Sequence, residues 1–235
     1  MAFKDYTNHP LMPYLLPIIP KGAKLSPTSD LTDERIGKIP GCWTDQGWVG
    51  FHKFTEHVTT PKWLEHYDNY FKSSGHEPII GMLAEFHPGI DVDCEDQRLN
   101  EFVAYQFEFF AGATLIRYRA NSNRIALIYR LKPGSRPITK RKLRFYLPGE
   151  DPAKVGKPHE IEILGKGQQW LIEGKHPSGA DYEWQLGMSP LHCYDQIPEL
   201  DYETLDIILD SIKAWMIENG YNFDIPRQGA AARSR

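Results

Sequence analysis

Gly89-Ile90-Asp91-Val92-Asp93 and, further along the chain, Glu160-Ile161-Glu162-Ile163-Leu164 are the two stretches that decide the fold. Both alternate apolar and acidic residues with a period of two, the mark of a strand with one buried and one polar face. Side chains at i and i+2 of a strand share a face, so Asp91 and Asp93 project together, with Cα atoms about 7 Å apart. Two like charges side by side repel unless a divalent cation lies between them. Phosphoryl transfer uses such pairs, because ions held by shared carboxylates clamp the attacking and leaving oxygens. A DxD taken alone also fits polar decoration near a turn, a glycosyltransferase or a metal hydrolase. Glu162 is the third acid, deep in its strand and near Gly165 and Gly167. If that strand lies beside the Asp91 strand, three carboxylates converge.

Outward from these stretches the pattern is mixed. Residues 1–46 read as an irregular arm, rich in Pro, Gly, Lys and Asp, around one strand at Tyr14–Ile19. A helix is predicted over Thr60–Ser73, with Thr60 as N-cap, Pro61 in the first turn, and Trp63, Tyr67 and Tyr70 at helical spacing. Pro78–Leu83 reads as a short strand. Glu101–Phe110 reads as amphipathic helix, with Leu99, Phe102, Val103, Phe107 and Phe110 inward and Gly112 ending it. Strands follow over Thr114–Arg119, Arg124–Leu131, Leu143–Leu147, Glu160–Leu164 and Gln169–Glu173. A last helix spans Tyr202–Asn219. The expected class is α+β, a mainly antiparallel sheet with helices packed on it.

Composition sets the bounds. Of 235 residues, 41% are apolar and 25% charged, as in a globular protein. No apolar run approaches the roughly 18 residues that span a bilayer. MAFKDYTNHP has no apolar stretch behind Lys4 and is not a signal peptide, so the expected location is the cytoplasm and no membrane partner is expected. Cys42, Cys94 and Cys193 lie far apart and form no CxxC pair, so oxygen or imidazole must hold any metal.

Net charge is −4, yet Arg117 to Arg144 contains ten Lys or Arg residues and no acid. Such a block can follow a phosphate backbone, and it can equally be a solvated surface. Arg117, Arg119, Arg124 and Arg130 are the candidate polyanion contacts within it. Arg124 follows Asn121-Ser122-Asn123, a polar turn with N–H groups and a hydroxyl to offer a phosphate. The chain has neither a GxxxxGK[ST] nor a GxGxxG. Lys175 and His176 open the turn Gly174-Lys175-His176-Pro177-Ser178-Gly179.

In this order the motifs resemble the primase-polymerases of the archaeo-eukaryotic primase superfamily, especially the phage and plasmid members. The hydrophobic-DxD is Ile90-Asp91-Val92-Asp93. The family's SxH is Ser122-Asn123-Arg124. The hydrophobic-acid motif begins at Ile161-Glu162 and runs through Gly165-Lys166-Gly167-Gln168-Gln169-Trp170 to His176-Pro177-Ser178-Gly179 and Tyr182-Glu183-Trp184. An opening segment is similar too: Leu16-Pro17-Ile18-Ile19-Pro20, then Gly37-Lys38-Ile39-Pro40-Gly41. The likeness covers roughly residues 15–186. Arg124 departs from the pattern by standing where the family has histidine. An arginine can bind phosphate in bidentate fashion but cannot act as an acid or base near neutral pH.

The resemblance implies a small α/β lobe and an RRM-like lobe with the active site in the cleft between them. It implies that Asp91, Asp93 and Glu162 hold two Mg²⁺ or Mn²⁺ ions. Ser122, Arg124 and His176 would bind the incoming triphosphate, with Lys175 and Lys38 as weaker candidates. Arg117, Arg119 and Arg130 would face nucleic acid. The expected activity is DNA primase or polymerase on a single-stranded DNA template with dNTPs or NTPs, and a helicase is a frequent companion. Residues 1–200 would form the catalytic core, 201–220 a helix packed on it, and 221–235 a flexible tail or linker. Competing readings are a metal-dependent nuclease, a sugar-nucleotide transferase and a non-catalytic nucleic-acid-binding module of the same fold. The nuclease needs Lys two residues after an acid, and Glu162 is followed by Ile163 and Leu164.

Overall fold

The computed structural model describes residues 2–34 and 36–224. Of the expected tail, 221–235, the part beyond 224 lies outside the described residues. Tyr221 is buried and Asn222–Phe223 pair with Tyr146 and Phe145, so the fold extends past 220. The chain is mixed α+β with antiparallel sheets. Its strands are β1 (Leu15–Pro17), β2 (Gly41–Thr44), β3 (Gly47–Gly50), β4 (Ile80–Leu83), β5 (Gly89–Asp93), β6 (Ile116–Arg119), β7 (Ser122–Ile128), β8 (Arg130–Leu131), β9 (Arg141–Tyr146), β10 (His159–Leu164), β11 (Gln169–Glu173), β12 (Tyr182–Trp184), β13 (Glu199–Leu200) and β14 (Asn222–Phe223). The helices are α1 (Pro61–Ser74), α2 (Gln97–Ala111), α3 (Pro152–Val155), α4 (Pro190–Cys193) and α5 (Tyr202–Glu218).

The seven-stranded sheet runs β12-β6-β7-β5-β10-β9-β14, and every neighbouring pair in it is antiparallel. Ile90 and Val92 of β5 and Ile161 and Ile163 of β10 point to one face and are essentially fully buried. There they meet Leu99, Val103 and Phe107 of α2 and Leu205, Ile208, Leu209, Ile212 and Met216 of α5. Two carboxylates start these helices. Asp96 accepts from the Arg98 and Leu99 amides, and Asp201 from the Thr204 amide at 2.7 Å. Phe102 stacks on Trp215 with centroids 4.3 Å apart. Phe110 does not join this core. It lies in the last turn of α2, is 40% exposed, and meets the neighbouring Phe109 instead.

The second apolar cluster surrounds the three-stranded sheet β1-β4-β11 and α1. The N-terminal arm contributes heavily to it. Phe3, Tyr6, Leu11, Leu15 and Ile19 are fully buried in it. The 3₁₀ turn Phe3–Tyr6 is anchored by Asp68 of α1, which accepts from the Phe3 amide at 2.7 Å and the Lys4 amide at 3.0 Å. The arm also contains a second turn, Met12–Tyr14, and β2 of the β2–β3 hairpin, so it is more ordered than its composition predicts. The expected strand Arg124–Leu131 is split. β7 begins earlier, at Ser122, and β8 leaves the sheet to pair in parallel with β13.

Candidate active site

The polar face of the seven-stranded sheet follows from register. Glu162 of β10 pairs with Asp91 of β5, and Glu160 with Asp93. Directly paired residues share a face with Cβ atoms about 5 Å apart. Four carboxylates therefore form a block, two from each strand. Across the sheet, Arg117 of β6 faces Ala126 of β7, which faces Asp91; on the other side Glu162 faces Lys142 of β9. In the next row Glu160 faces Arg144. The acids thus sit in the middle of the sheet with cations on both flanks.

Asp91 is half-buried, and its carboxylate makes no hydrogen bond or ion pair with the described residues. Burial pushes its pKa up from the ordinary carboxylate value. Asp93 and Glu162 add to that push, while Arg117 and Lys38 oppose it. The other acids are paired. Arg124 donates to Asp93. Glu162 is 2.5 Å from Lys140 Nζ and 3.5 Å from Lys142 Nζ, and Glu160 binds Lys142 at 2.5 Å and Arg144 at 2.9 Å. Among the described residues, no three His, Cys, Asp or Glu side chains stand together as a ready metal cage. The donor chemistry nevertheless suits a hard cation. Carboxylate oxygens are what Mg²⁺ or Mn²⁺ takes, and Asp91 is a crowded acid without a counter-ion in contact.

A cavity of about 370 Å³ lies over this block. Asp91, Asp93 and Glu162 line it together with Lys38, Arg117, Arg119, Arg124 and His176. Local structure explains how distant residues reach it. Gly37 has φ +92° and lies so close to Pro177 that a Cβ would come within 2.8 Å of its ring, so Lys38 is carried against the His176 loop. That loop is closed by the His176 amide donating to the Ala180 carbonyl and the Tyr182 amide donating to the Gly174 carbonyl. Arg119 Nη1 lies 3.0 Å from both ring nitrogens of His176. Burial, with the charges of Arg119, Lys38, Arg117 and Arg124, lowers the His176 pKa to about 4, so the ring is neutral at physiological pH.

The other sequence candidates have different surroundings. Arg117 is buried between Trp170 and Tyr182, 4.1 Å from the Tyr182 ring centroid, and donates to the Leu171 carbonyl. It braces the floor of the cavity. Ser122 lies beside the cavity, in a neighbouring recess shared with Arg119, Arg124 and Ser178. Lys175 lines a separate groove behind the loop, with Lys21, Glu77 and Ile79. Arg130 is remote from the acids: its Nε donates to the Ile197 carbonyl at 2.7 Å, and its guanidinium packs over Tyr194.

Several site residues escape the sequence pattern. Glu160 was reachable, since it lies two residues from Glu162 on one strand. Lys140 and Lys142 obey the same spacing on or beside β9. Glu95 carries no sequence signal. It becomes visible only when the β5–α2 loop folds against β7, tied there by Asn100 Nδ2 donating to the carbonyls of Cys94 and Asn123. Compared with protein-family models and with curated proteins, the chain matches none. Among the described residues no helix is long and apolar enough to cross a membrane.

Proposed function

We propose that this chain is a template-directed nucleotidyltransferase, a DNA primase or polymerase, that adds dNTPs or NTPs along single-stranded DNA. The observation that carries the reading is the cross-strand pairing of Asp91 with Glu162 at the bottom of a cavity whose walls bear Lys38, Arg119, Arg124 and His176. In this view the two apolar clusters are the cores of a small α/β lobe and an RRM-like lobe, and the cavity is the cleft between them.

Asp91, Asp93 and Glu162 would hold two Mg²⁺ or Mn²⁺ ions, which when bound supply charge neutralisation for the triphosphate and its leaving group. Lys38 and Arg119 bring fixed positive charge to the triphosphate from outside the carboxylate block. Arg119 is free to do so because it makes no ion pair among the described residues. The neutral His176 ring takes a hydrogen bond from Arg119 and so orients it. Arg124 offers a planar fork of donors.

The pairing of Glu162 with Lys140 and Lys142 favours a second reading, a non-catalytic module that binds single-stranded nucleic acid, with the acids serving only as partners of lysines. Primer synthesis on single-stranded DNA with labelled dNTPs or NTPs and Mg²⁺ or Mn²⁺ separates the two. The enzyme reading expects metal-dependent products longer than one nucleotide. Binding of the strand without any product under either metal would leave the module.

A further inference from the structure

The turn between β6 and β7 is built to hold an anion, and an anion of the chain's own already sits in it. Arg119 pairs with Ser122 across a two-residue turn in which Asn121 has φ +62°, a left-handed conformation that asparagine tolerates. The turn directs the Ser122 hydroxyl and the Asn123 amide to one side. Both donate to the carboxylate of Glu95, Ser122 Oγ to Oε1 at 2.9 Å and the Asn123 amide to Oε2 at 2.8 Å. Arg124 Nε lies 2.8 Å from Oε1. Asn123 Nδ2 holds the Glu95 carbonyl at 2.9 Å. A hydroxyl, a main-chain N–H and a guanidinium converging on one charged group are what a phosphate oxygen set requires.

The recess is open and adjoins the acid cavity. Its lining includes Glu95, Arg119, Ser122, Arg124 and Ser178, and Arg119 and Arg124 line the acid cavity as well. Glu95 is itself 52% exposed on its side chain, held by hydrogen bonds and charge and not by packing. It can therefore swing out without opening the core.

We infer that the Ser122–Arg124 turn is a polyphosphate-binding cradle and that Glu95 is a built-in carboxylate plug which an incoming polyphosphate must displace. The plug sets the affinity threshold of the site. A single phosphate oxygen pair competes poorly with a tethered carboxylate, whereas a triphosphate that also reaches Arg119 and Lys38 displaces it. The identification of the polyphosphate as a nucleotide tail rests on the nucleotidyltransferase reading; the plug itself does not.

Binding of inorganic tripolyphosphate, measured calorimetrically on the whole chain without metal, tests this directly. Glu95→Gln keeps the shape and removes the charge, and should tighten binding by about fivefold or more, the worth of one unit charge near 4 Å in a watery site. Glu95→Ala should tighten it as well. Glu108→Gln, an equal charge change towards the far end of α2, should leave it unchanged. Combining Glu95→Gln with Ser122→Ala and Arg124→Ala should erase the gain. Unchanged or weaker binding in Glu95→Gln overturns the inference, as does an equal gain in Glu108→Gln or a gain that survives loss of the cradle. Nucleotide incorporation is scored separately. Tighter tripolyphosphate binding with no incorporation by any variant would sink the enzyme reading and leave the plug standing, and incorporation without a Glu95 effect would do the reverse.

Discussion

The two faces of the seven-stranded sheet use the same strands and the same register for opposite purposes. On one face Ile90, Val92, Ile161 and Ile163 are shut against α2 and α5. On the other, one residue along each strand, Asp91, Asp93, Glu160 and Glu162 crowd together beneath a cavity. The apolar face gains free energy from every contact. The acidic face holds Asp91 at a raised pKa, partly because Asp93 and Glu162 are beside it, and spends part of its charge on Lys140, Lys142 and Arg124. A sheet that keeps such a face carries the cost for something other than stability. Substitutions on the two faces should therefore fail in different assays.

The largest effect is expected on the acidic face. Asp91→Asn and Asp93→Asn should each abolish metal-dependent nucleotide incorporation. Neither should lower the thermal midpoint by more than a surface ion pair is worth, about 0–1 kcal/mol. For Asp91 the sign is favourable. A carboxyl whose folded pKa is raised costs the native state stability once pH exceeds its unfolded value, so Asp91→Asn should match or exceed the wild type at neutral pH. Wild-type incorporation by the double variant would remove Asp91 and Asp93 from any chemistry.

The apolar face should answer the opposite way. Ile161→Ala deletes buried methylenes beneath the acids and should cost about 2–5 kcal/mol in urea unfolding. The fraction that remains folded should still incorporate nucleotide. Loss of incorporation without loss of stability would mean that the two faces are not separable and that the core sets the site geometry directly.

A smaller effect separates the acid block from the basic segment, residues 117–144. The basic charges look potent in sequence but are mostly engaged. Arg124, Lys132, Arg136, Lys140, Arg141, Lys142 and Arg144 are in ion pairs, Arg117 is buried, and Arg130 packs over Tyr194. Arg119, with Lys38 from outside the segment, is left at the cavity. Affinity for single-stranded DNA should accordingly fall by only about 1.4 log units per log unit of salt, two phosphates at about 0.7 each. A slope several times steeper would show that the pairs open when the strand arrives.

These contacts also mark what sequence reading reaches. That Asp91 and Glu162 would share a face once their strands met was legible from the alternation. That β5 and β10 pair, with Glu162 opposite Asp91, was not, since nothing local in either strand selects its neighbour. The limits of α1, β5 and α5 were legible from caps, glycines and spacing, as was the end of α2 at Gly112. The start of α2 was not, because the helix begins at Gln97 on the Asp96 cap, four residues before the expected Glu101. The neutralisation of the basic segment was not. Its partners Glu160, Glu162, Asp201, Glu203 and Asp206 are distant in sequence, and only the meeting of β9 with β10 and of the β8–β9 region with α5 supplies them. Nor was the depth of the N-terminal arm legible. Its composition reads as loop, and the contact that orders it, Asp68 with the Phe3 and Lys4 amides, is tertiary.

The smallest effect concerns His176, where the cavity meets the loop. Its ring is neutral because burial and four neighbouring cations lower its pKa to about 4 from 6.5. A base with a depressed folded pKa takes its proton in the unfolded chain first. The chain therefore keeps the full stability of the neutral ring above pH 6.5 and loses it as pH falls towards 4. The ring is only half-buried, and solvent screening makes this loss modest. His176→Asn should flatten the pH dependence of the thermal midpoint across that window while leaving the midpoint at neutral pH nearly unchanged. The same variant should uncouple Arg119, which loses the ring nitrogens 3.0 Å from its Nη1, and raise the apparent KM for nucleotide more than it lowers kcat. A pH profile that keeps its slope in His176→Asn would place the acid-sensitive group elsewhere. A kcat loss with KM intact would move His176 from orienting Arg119 to acting at the reacting atoms, making it part of the acidic face's chemistry and no longer part of the wall above it.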